Sequence, residues 1–126
     1  MEEVKKARNF RNYKVWQDAV DYASKVYKIT AEMPWFEKKG ICDQLQRAVV
    51  SISSNIAEGA AKPSDVEFAH YLDTALGSAF EVETQLIISN NIGYLKNDRA
   101  NYQELLEGIN EIERQLNGLI STVRKS

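Results

Sequence analysis

Apolar residues recur along this chain at alternating spacings of three and four, and the recurrence stops near Pro34, Pro63 and Gly93. Side chains three and four residues apart share one face of an α-helix, so this spacing predicts amphipathic helices. No strand-like alternation flanked by turns accompanies it. We predict an all-α protein with four helices, over about residues 13–33, 37–60, 64–92 and 98–124.

The joints between these segments carry helix-boundary residues. Ser64 and Glu67 have the spacing of a capping box, in which the serine hydroxyl accepts a backbone N–H and the glutamate reciprocates. Asn97 or Asp98 can cap the fourth helix. Because every joint is short, we expect an up-down-up-down four-helix bundle, as one domain over residues 1–126.

The second predicted helix has almost no charged side chains for contact with water. The stretch AVVSISSNIAEGAA, residues 48–61, contains one charged residue, Glu58. The third helix has a second apolar stripe that includes Phe80 and Ile87, and a glycine in its middle, Gly77, is typical of a close approach by another backbone. A bundle uses one face of each helix, so we predict that another subunit covers the second helix and that the protein is a homo-oligomer.

A row of polar residues runs beside the core face of the second helix. Arg47, Ser51 and Glu58 form the row, and Asn55 lies at its inner edge. A buried asparagine can fix register and partner choice in helical assemblies. We interpret the row as an assembly feature, and a polar recognition groove is the alternative.

Charge is distributed as an acidic body with basic ends. Residues 1–14 carry five basic and two acidic side chains, residues 15–113 carry eight and sixteen, and residues 114–126 carry three basic ones. The bundle predicted above brings both termini to one end, so we expect a basic end there. Residues 1–12 would be a flexible basic arm, and we favour a solvated tail without a partner. Contact of this end with RNA or a ribonucleoprotein is the alternative. The candidate anion contacts are Lys5, Lys6, Arg8, Arg11, Lys14, Lys62, Arg124 and Lys125.

Composition adds the profile of an ordinary soluble domain. Apolar residues make up 44% of the chain and charged residues 27%. The single cysteine, Cys42, cannot form an internal disulfide, which suits a cytoplasmic location, and without a basic cluster nearby it is expected to be a buried thiol. The sequence has no secretory signal and no run of about 18 apolar residues, so we expect no membrane association.

Residues that could carry out catalysis are sparse. Glu67 and His70 match Glu-x-x-His, which di-iron bundles use twice, but His70 is the only histidine. Three carboxylates could act as acid–base groups or form structural ion pairs, with Arg47 for instance: Glu58, Glu81 and Glu83. We expect no catalytic residues, no metal and no cofactor, and a carboxylate–metal or small-molecule-binding bundle is the alternative.

Three segments resemble a known family. QLQRAVVSISSNIAEG, residues 44–59, resembles the signature helix of the four-helix-bundle family named after 23S ribosomal RNA intervening sequences. VWQDA, residues 15–19, and YLDTALGSAFEVETQL, residues 71–86, resemble its first-helix and third-helix motifs. Gln46 and Ser53 depart from the residues common in the family, and the first change weakens the case for a basic face on this helix. The motif residues are Arg47, Ser51, Asn55, Glu58, Gly59, Gly77, Ser78 and Glu81.

The resemblance implies an all-α bundle that assembles as a homopentameric ring, with no catalytic residues to carry over. Relatives that serve as accessory subunits of diversity-generating retroelements are strongly basic and help to bind nucleic acid, whereas this chain has an acidic body. We therefore predict a non-enzymatic homo-oligomeric adaptor, with RNA or a ribonucleoprotein as the candidate partner of its basic end.

Overall fold

Four helices make up most of this protein, in a computed structural model that describes residues 8–126. They are α1 (Lys14–Thr30), α2 (Ile41–Ala60), α3 (Asp65–Asn91) and α4 (Arg99–Lys125). Two short 3₁₀ turns, Phe10–Asn12 and Trp35–Glu37, precede α1 and α2. No strand occurs in residues 8–126, so the predicted all-α fold with four helices is confirmed.

The joint between α1 and α2 is longer than the sequence pattern predicts. α1 ends at Thr30 rather than near residue 33, and α2 begins at Ile41 rather than near residue 37. Pro34 lacks an N–H and keeps the residue before it out of the helical region, so neither helix can continue through it. The 3₁₀ turn and Gly40 fill the space between them, and a Cβ at Gly40 would lie 2.5 Å from the Glu37 side chain.

The ends of α3 are fixed by local hydrogen bonds. At its start, the Ser64 hydroxyl accepts the backbone N–H of Glu67 at 3.1 Å, which is the first half of the predicted capping box. At its end, Gly93 has a φ of +90°, and the backbone N–H of Tyr94 donates to the Ser89 carbonyl at 3.0 Å. This arrangement closes a helix with a left-handed glycine, so α3 stops where the sequence pattern stops.

The four helices pack in a cycle, each on the next along the chain and α4 back on α1. Hydrogen bonds cross three of the seams. Gln46 of α2 donates to Thr30 of α1 at 3.0 Å, and Asn110 of α4 donates to Glu83 of α3 at 3.0 Å. The Tyr22 hydroxyl of α1 donates to the Leu105 carbonyl of α4 at 2.7 Å. In residues 8–126, no Cα atom of α1 lies within 8 Å of α3. The core fills the centre of the cycle, with side chains that include Val26, Leu45, Ile52, Phe68, Leu72, Leu86, Ile109 and Leu116.

The expectation that another subunit covers α2 is too broad. Its second apolar row is buried within the same chain: Cys42, Val49, Ile56 and Ala60 are at most 6% exposed. The reason is that α2 packs between α1 and α3, and so buries two faces instead of one. Only a narrow outer strip that includes Val50, which is 43% exposed, remains open to a partner.

Candidate interaction surfaces

Three of the polar motif residues meet in the seam between α2 and α3. The Ser51 and Ser78 hydroxyl oxygens lie 2.9 Å apart, and the Asn55 amide donates to the Ser51 carbonyl at 2.8 Å and to its hydroxyl at 2.9 Å. Because the Ser51 oxygen accepts from Asn55, its own proton is available for Ser78. Of the polar row predicted on α2, Ser51 thus joins α2 to α3 inside one chain, and Asn55 holds the Ser51 side chain in place.

Gly59 makes the close approach of α2 to α3 possible. A Cβ at this position would lie 2.5 Å from the Cβ of Tyr71 and 3.1 Å from the ring of Phe68. Contacts this short essentially do not occur, so any side chain at Gly59 would separate the two helices. Gly77, by contrast, has no atom within 4 Å of its Cβ position, so its role does not lie in the packing of this chain.

The charged motif residues remain on the surface and do not pair with each other. Arg47 forms its ion pair with Asp43, one turn earlier on α2, at 2.9 Å, so the suggested pairing with Glu58, Glu81 or Glu83 is wrong. The i, i+4 spacing on one helix favours this partner over any on α3. The side chains of Glu58 and Glu81 are exposed, and neither forms a hydrogen bond or an ion pair with another described residue.

α3 exposes an apolar stripe on its outer face. Phe80 is 50% exposed, Ile87 36% and Ile88 44%, although α3 buries a full core face on its opposite side. An exposed apolar stripe of this kind is a candidate interaction surface. The α3 stripe is defined here as Gly77, Phe80, Glu81, Thr84, Ile87 and Ile88.

A second candidate surface lies between α1 and α2, and it combines apolar and polar side chains. Tyr27 is 46% exposed and Val50 is 43% exposed, and both line an open groove of about 330 Å³. Arg47 and Asp43 stand at its rim. The α1–α2 groove is defined here as Tyr27, Asp43, Gln46, Arg47, Val50 and Ser51.

Two exposed aromatic residues were missed by the sequence analysis. Trp35 is 87% exposed and Phe36 is 62% exposed, at the 3₁₀ turn between α1 and α2. Phe36 lies edge-on to Tyr94 with ring centroids 6.5 Å apart, and the Tyr94 hydroxyl donates to Glu37 at 2.6 Å. Two adjacent aromatic residues after a proline lie outside any helical period, and that signal could have identified them.

Most of the predicted anion contacts already have partners within the chain. The Arg8 guanidinium donates to the Lys62 carbonyl at 2.9 Å, pairs with Asp65, and lies 4.6 Å from the centroid of the Phe68 ring. Residues 8–12 therefore pack on the bundle instead of forming a flexible arm, whereas Lys5 and Lys6 lie outside the described residues.

Most of the remaining basic side chains also have a partner within the chain. Lys14 pairs with Asp18 at 2.6 Å, and Arg124 pairs with Asp73, with one nitrogen–oxygen distance of 3.3 Å. Lys62 lies 5.2 Å from the centroid of the Tyr71 ring, and Arg11 lies over Phe10. Lys125 is exposed. The basic end exists, but Asp65, Asp73 and Asp18 neutralise much of its charge.

A buried carboxyl pair between α3 and α4 was not anticipated. Glu113 is 8% exposed, and burial, with the neighbouring carboxyl of Glu83, raises the pKa of Glu113 to about 7. Asn110 donates to Glu83 at 3.0 Å and to Glu113 at 3.2 Å, while the second carboxyl oxygen of Glu113 has no hydrogen-bond partner. Burial and these two carboxylates also raise the pKa of Tyr22.

Groups suited to metal or nucleophilic chemistry are not assembled in residues 8–126. No cluster of three His, Cys, Asp or Glu side chains occurs there, and His70 is exposed. Cys42 is buried, its thiol lies 3.6 Å from the Thr30 carbonyl oxygen, and burial together with Glu37 raises its pKa. Among the described helices, none is both long and apolar enough to cross a bilayer.

Comparison with known proteins identifies the family. The sequence model of the 23S rRNA-intervening sequence protein family matches residues 11–118. The chain belongs to this family. A crystal structure of a protein with unknown function from the S23 ribosomal protein family of Bacteroides thetaiotaomicron is similar, with a TM-score of 0.73 and 26% identity over 84% of this chain and 97% of the other. A search of curated protein sequences finds no match.

The family match covers both candidate surfaces but only part of the basic end. The α3 stripe and the α1–α2 groove lie inside residues 11–118. Lys5, Lys6, Arg8, Arg124 and Lys125 lie outside that range. The match to the 23S rRNA-intervening sequence protein family therefore includes the residues of the two surfaces and leaves out most of the basic residues near the two ends of the chain.

Proposed function

We propose that this protein is a non-enzymatic homo-oligomeric interaction protein, an up-down-up-down bundle that assembles as a pentameric ring. The exposed apolar stripe on α3 carries the proposal, because three large apolar side chains lie on its outer face at Phe80, Ile87 and Ile88. Gly77 supports it, since the space beside this glycine is not used inside the chain. The pentamer is what the resemblance to the family implies.

The contacts across the seams support the up-down-up-down order. Tyr22 of α1 contacts Leu105 of α4, and the earlier residue Asp18 contacts the later residue Gln115. The two helices therefore run in opposite directions. Arg124 of α4 in turn meets Asp73 of α3. Such antiparallel pairing is typical of helices joined by short connections.

Light scattering on purified protein tests the assembly, with Gly77→Leu as the diagnostic variant. A leucine fits at Gly77 in the single chain, since nothing lies within 4 Å, and it should raise helix stability by about 1 kcal/mol. We expect a multimeric mass for the parent and a lower mass for Gly77→Leu, with unchanged helical circular dichroism. Gly118→Leu is the matched control, because its Cβ position on α4 is equally open.

The proposal fails if the parent protein is a monomer at micromolar concentration. It also loses its main support if Gly77→Leu and Gly118→Leu both keep the full mass. A cytoplasmic location, which the single cysteine favours, belongs to the same proposal.

We propose RNA or a ribonucleoprotein at the basic end as a second function. The observation that favours it is that Arg8 and Ser126 both contact Asp65, at the joint between α2 and α3, so residues of both basic segments lie together there. Binding of single-stranded RNA should weaken steeply with salt. The alanine variant of Lys5, Lys6, Arg11 and Lys125 should lose this binding and keep its oligomeric mass, whereas unchanged affinity would exclude the basic end.

A further inference from the structure

Two joints that pack on each other form the end of the molecule opposite to Asp65. The joint between α1 and α2 meets the joint between α3 and α4 where Phe36 lies edge-on to Tyr94, with ring centroids 6.5 Å apart. The Tyr94 hydroxyl also donates to Glu37 at 2.6 Å. Since the 20 residues of α2 separate the two ends of the bundle, this end lies about 30 Å from the joint between α2 and α3.

Apolar side chains project into solvent at this end. Trp35 is 87% exposed, Phe36 62% and Ile92 54%. The turn that carries the two aromatic residues is held by its own backbone, because the Glu37 N–H donates to the Pro34 carbonyl at 2.9 Å. Large apolar side chains grouped in this way, and turned away from the core, mark an interaction site.

The charges that are free to meet a partner at this end are positive. Glu37 accepts from the Tyr94 hydroxyl, and a hydrogen bond with Asp98 raises the pKa of Glu32, so the acidic side chains there are engaged within the joints. The basic side chains beside them are exposed, and none forms an ion pair with another described residue: they are Lys38, Lys39, Lys96 and Arg99. An anionic surface therefore complements this end, although the body of the protein is acidic.

We propose that this end of the protein docks on the surface of an anionic lipid membrane. The Trp35 end is defined here as Trp35, Phe36, Ile92, Lys38, Lys39, Lys96 and Arg99. Its apolar side chains enter the headgroup layer, a depth that tryptophan favours because one side of its ring system is apolar and the other can remain hydrated. Its four cations contact the anionic headgroups, and each adds to the attraction.

The geometry of the rings favours a membrane over single-stranded RNA. The Trp35 and Phe36 rings lie 6.3 Å apart at an angle of 78°, and the Phe36 and Tyr94 rings meet at 71°. Successive bases stack on aromatic faces, and neighbouring rings that are almost perpendicular do not form a continuous platform for them. The boundary of a bilayer imposes no such order, so it accommodates an edge-on aromatic pair and an isoleucine together.

The expectation of no membrane association was based on the lack of a secretory signal and of an apolar run that could span a bilayer. Docking at the surface needs no such run, because the side chains reach only the boundary between headgroups and acyl chains. None of the described helices could cross a bilayer, and the proposal requires none to do so.

Sedimentation with lipid vesicles tests the apolar part of the contact. We expect the protein to pellet with vesicles of equimolar phosphatidylserine and phosphatidylcholine, and about tenfold more weakly or worse with phosphatidylcholine alone. Trp35→Ser combined with Phe36→Ser should lower the affinity for the mixed vesicles by about tenfold or more, since two large aromatic side chains are then lost from the contact. Val66→Ser is the control, because Val66 is 69% exposed at the start of α3, at the opposite end.

A double charge reversal tests the electrostatic part. Lys38→Glu combined with Lys39→Glu should lower the affinity for the mixed vesicles by about tenfold or more, and added salt should weaken binding of the parent. Arg11→Glu combined with Lys125→Glu makes the same change of charge at the opposite end, so it should keep the affinity of the parent. Equal losses in the two double variants would show attraction by overall charge and would overturn the assignment to the Trp35 end.

The fluorescence of Trp35 reports its own insertion. The chain has two tryptophans, and Trp16→Phe leaves Trp35 as the single one. On the mixed vesicles we expect the emission of this variant to move to shorter wavelength, and quenching by acrylamide to fall, because the indole leaves water. Pelleting without any change in emission would mean that another part of the protein contacts the lipid, and the proposal would be wrong.

Other occupants of the Trp35 end give different results. Loss of polyuridylate binding in Trp35→Ser with Phe36→Ser, while vesicle binding stays, would assign this end to single-stranded RNA. A lower mass of that variant in light scattering would make the end a contact between copies. Either result overturns the proposal, and so does a parent protein that does not pellet with the mixed vesicles. None of these vesicle measurements depends on the oligomeric mass, so the proposed self-assembly stands or falls separately.

Discussion

Glu113 is a carboxyl whose ionisation the fold shifts to higher pH. Burial raises its pKa to about 7, and the carboxyl of Glu83 beside it adds to the shift, which Asn110 partly opposes. The folded state therefore binds this proton more tightly than the unfolded chain, in which the pKa is near 4.5. Stability from this group is fully present below that value and is lost as the pH rises through about 7.

Glu113→Gln should remove this loss. A glutamine keeps the shape of the protonated side chain, accepts from Asn110 and can donate to Glu83. We expect the variant to be more stable than the parent at pH 8 by about 1–2 kcal/mol, and close to it at pH 5. Thermal unfolding at both pH values measures the difference, and Glu107→Gln, at an exposed position of α4, serves as the control. Parallel pH profiles for the parent and Glu113→Gln would contradict the assignment.

The helices differ in how closely they approach their neighbours, and the space around each glycine shows the difference. α2 and α3 meet at Gly59, where a Cβ would lie 2.5 Å from the Tyr71 Cβ, whereas the Cβ position of Gly118 on α4 is open. Alanine stabilises a helix by about 1 kcal/mol relative to glycine. At Gly59 the helices must move apart, and that overpacking costs about 1–3 kcal/mol.

Gly59→Ala and Gly118→Ala should therefore have opposite effects. We expect Gly59→Ala to destabilise the protein by up to about 2 kcal/mol net, and Gly118→Ala to stabilise it by about 0.5–1 kcal/mol. Urea unfolding measures the free energy of unfolding of both variants, provided that its slope against urea concentration is the same as for the parent. If both substitutions stabilise, the seam between α2 and α3 is looser than the structure shows.

The sequence pattern predicts the helices well where apolar spacing alone decides them. α3 and α4 begin and end within one residue of the predicted bounds. Ser64 and Gly93 mark the ends of α3, whereas Asp98 lies at the N-cap position of α4 without a side-chain capping hydrogen bond. The joint around Pro34 was placed less well, since a 3₁₀ turn and a glycine loop have no apolar period. The second apolar row of α2 was assigned to another subunit because a pattern cannot tell which of two neighbours buries a face.

The contacts between helices were beyond the sequence because they depend on register. Ser51 and Ser78 were both identified as motif residues, but nothing in their spacing places the two hydroxyls 2.9 Å apart. Glu83 and Glu113 lie on different helices, and neither residue alone indicates a shared proton. Trp35 lies outside any helical period, which places it outside the core stripes, but the extent of its exposure, 87%, follows only from the structure.

One end of the molecule contains Arg8, Ser126 and the joint between α2 and α3. Arg8 and Ser126 both contact Asp65, and the Ser126 hydroxyl donates to it at 2.8 Å. Arg124 pairs with Asp73, which lies further along α3. Bringing the basic segments together thus also brings acidic residues to them. The charge that this end offers to an anion is smaller than the sequence implies, and part of it stabilises the fold.

Arg8 and Arg11 should separate these two roles. The Arg8 side chain is 14% exposed, bonds to Asp65 and to the Lys62 carbonyl, and covers the Phe68 ring, so Arg8→Ala leaves a partly buried carboxylate without this partner. We expect a loss of about 1–3 kcal/mol, which persists at high salt because the pair is shielded from solvent. Arg11 is exposed, and Arg11→Ala should stay within about 0.5 kcal/mol of the parent. Urea unfolding at low and high salt measures both variants; equal effects would mean that Arg8 is not a structural residue, and it would then return to the set that can bind an anion.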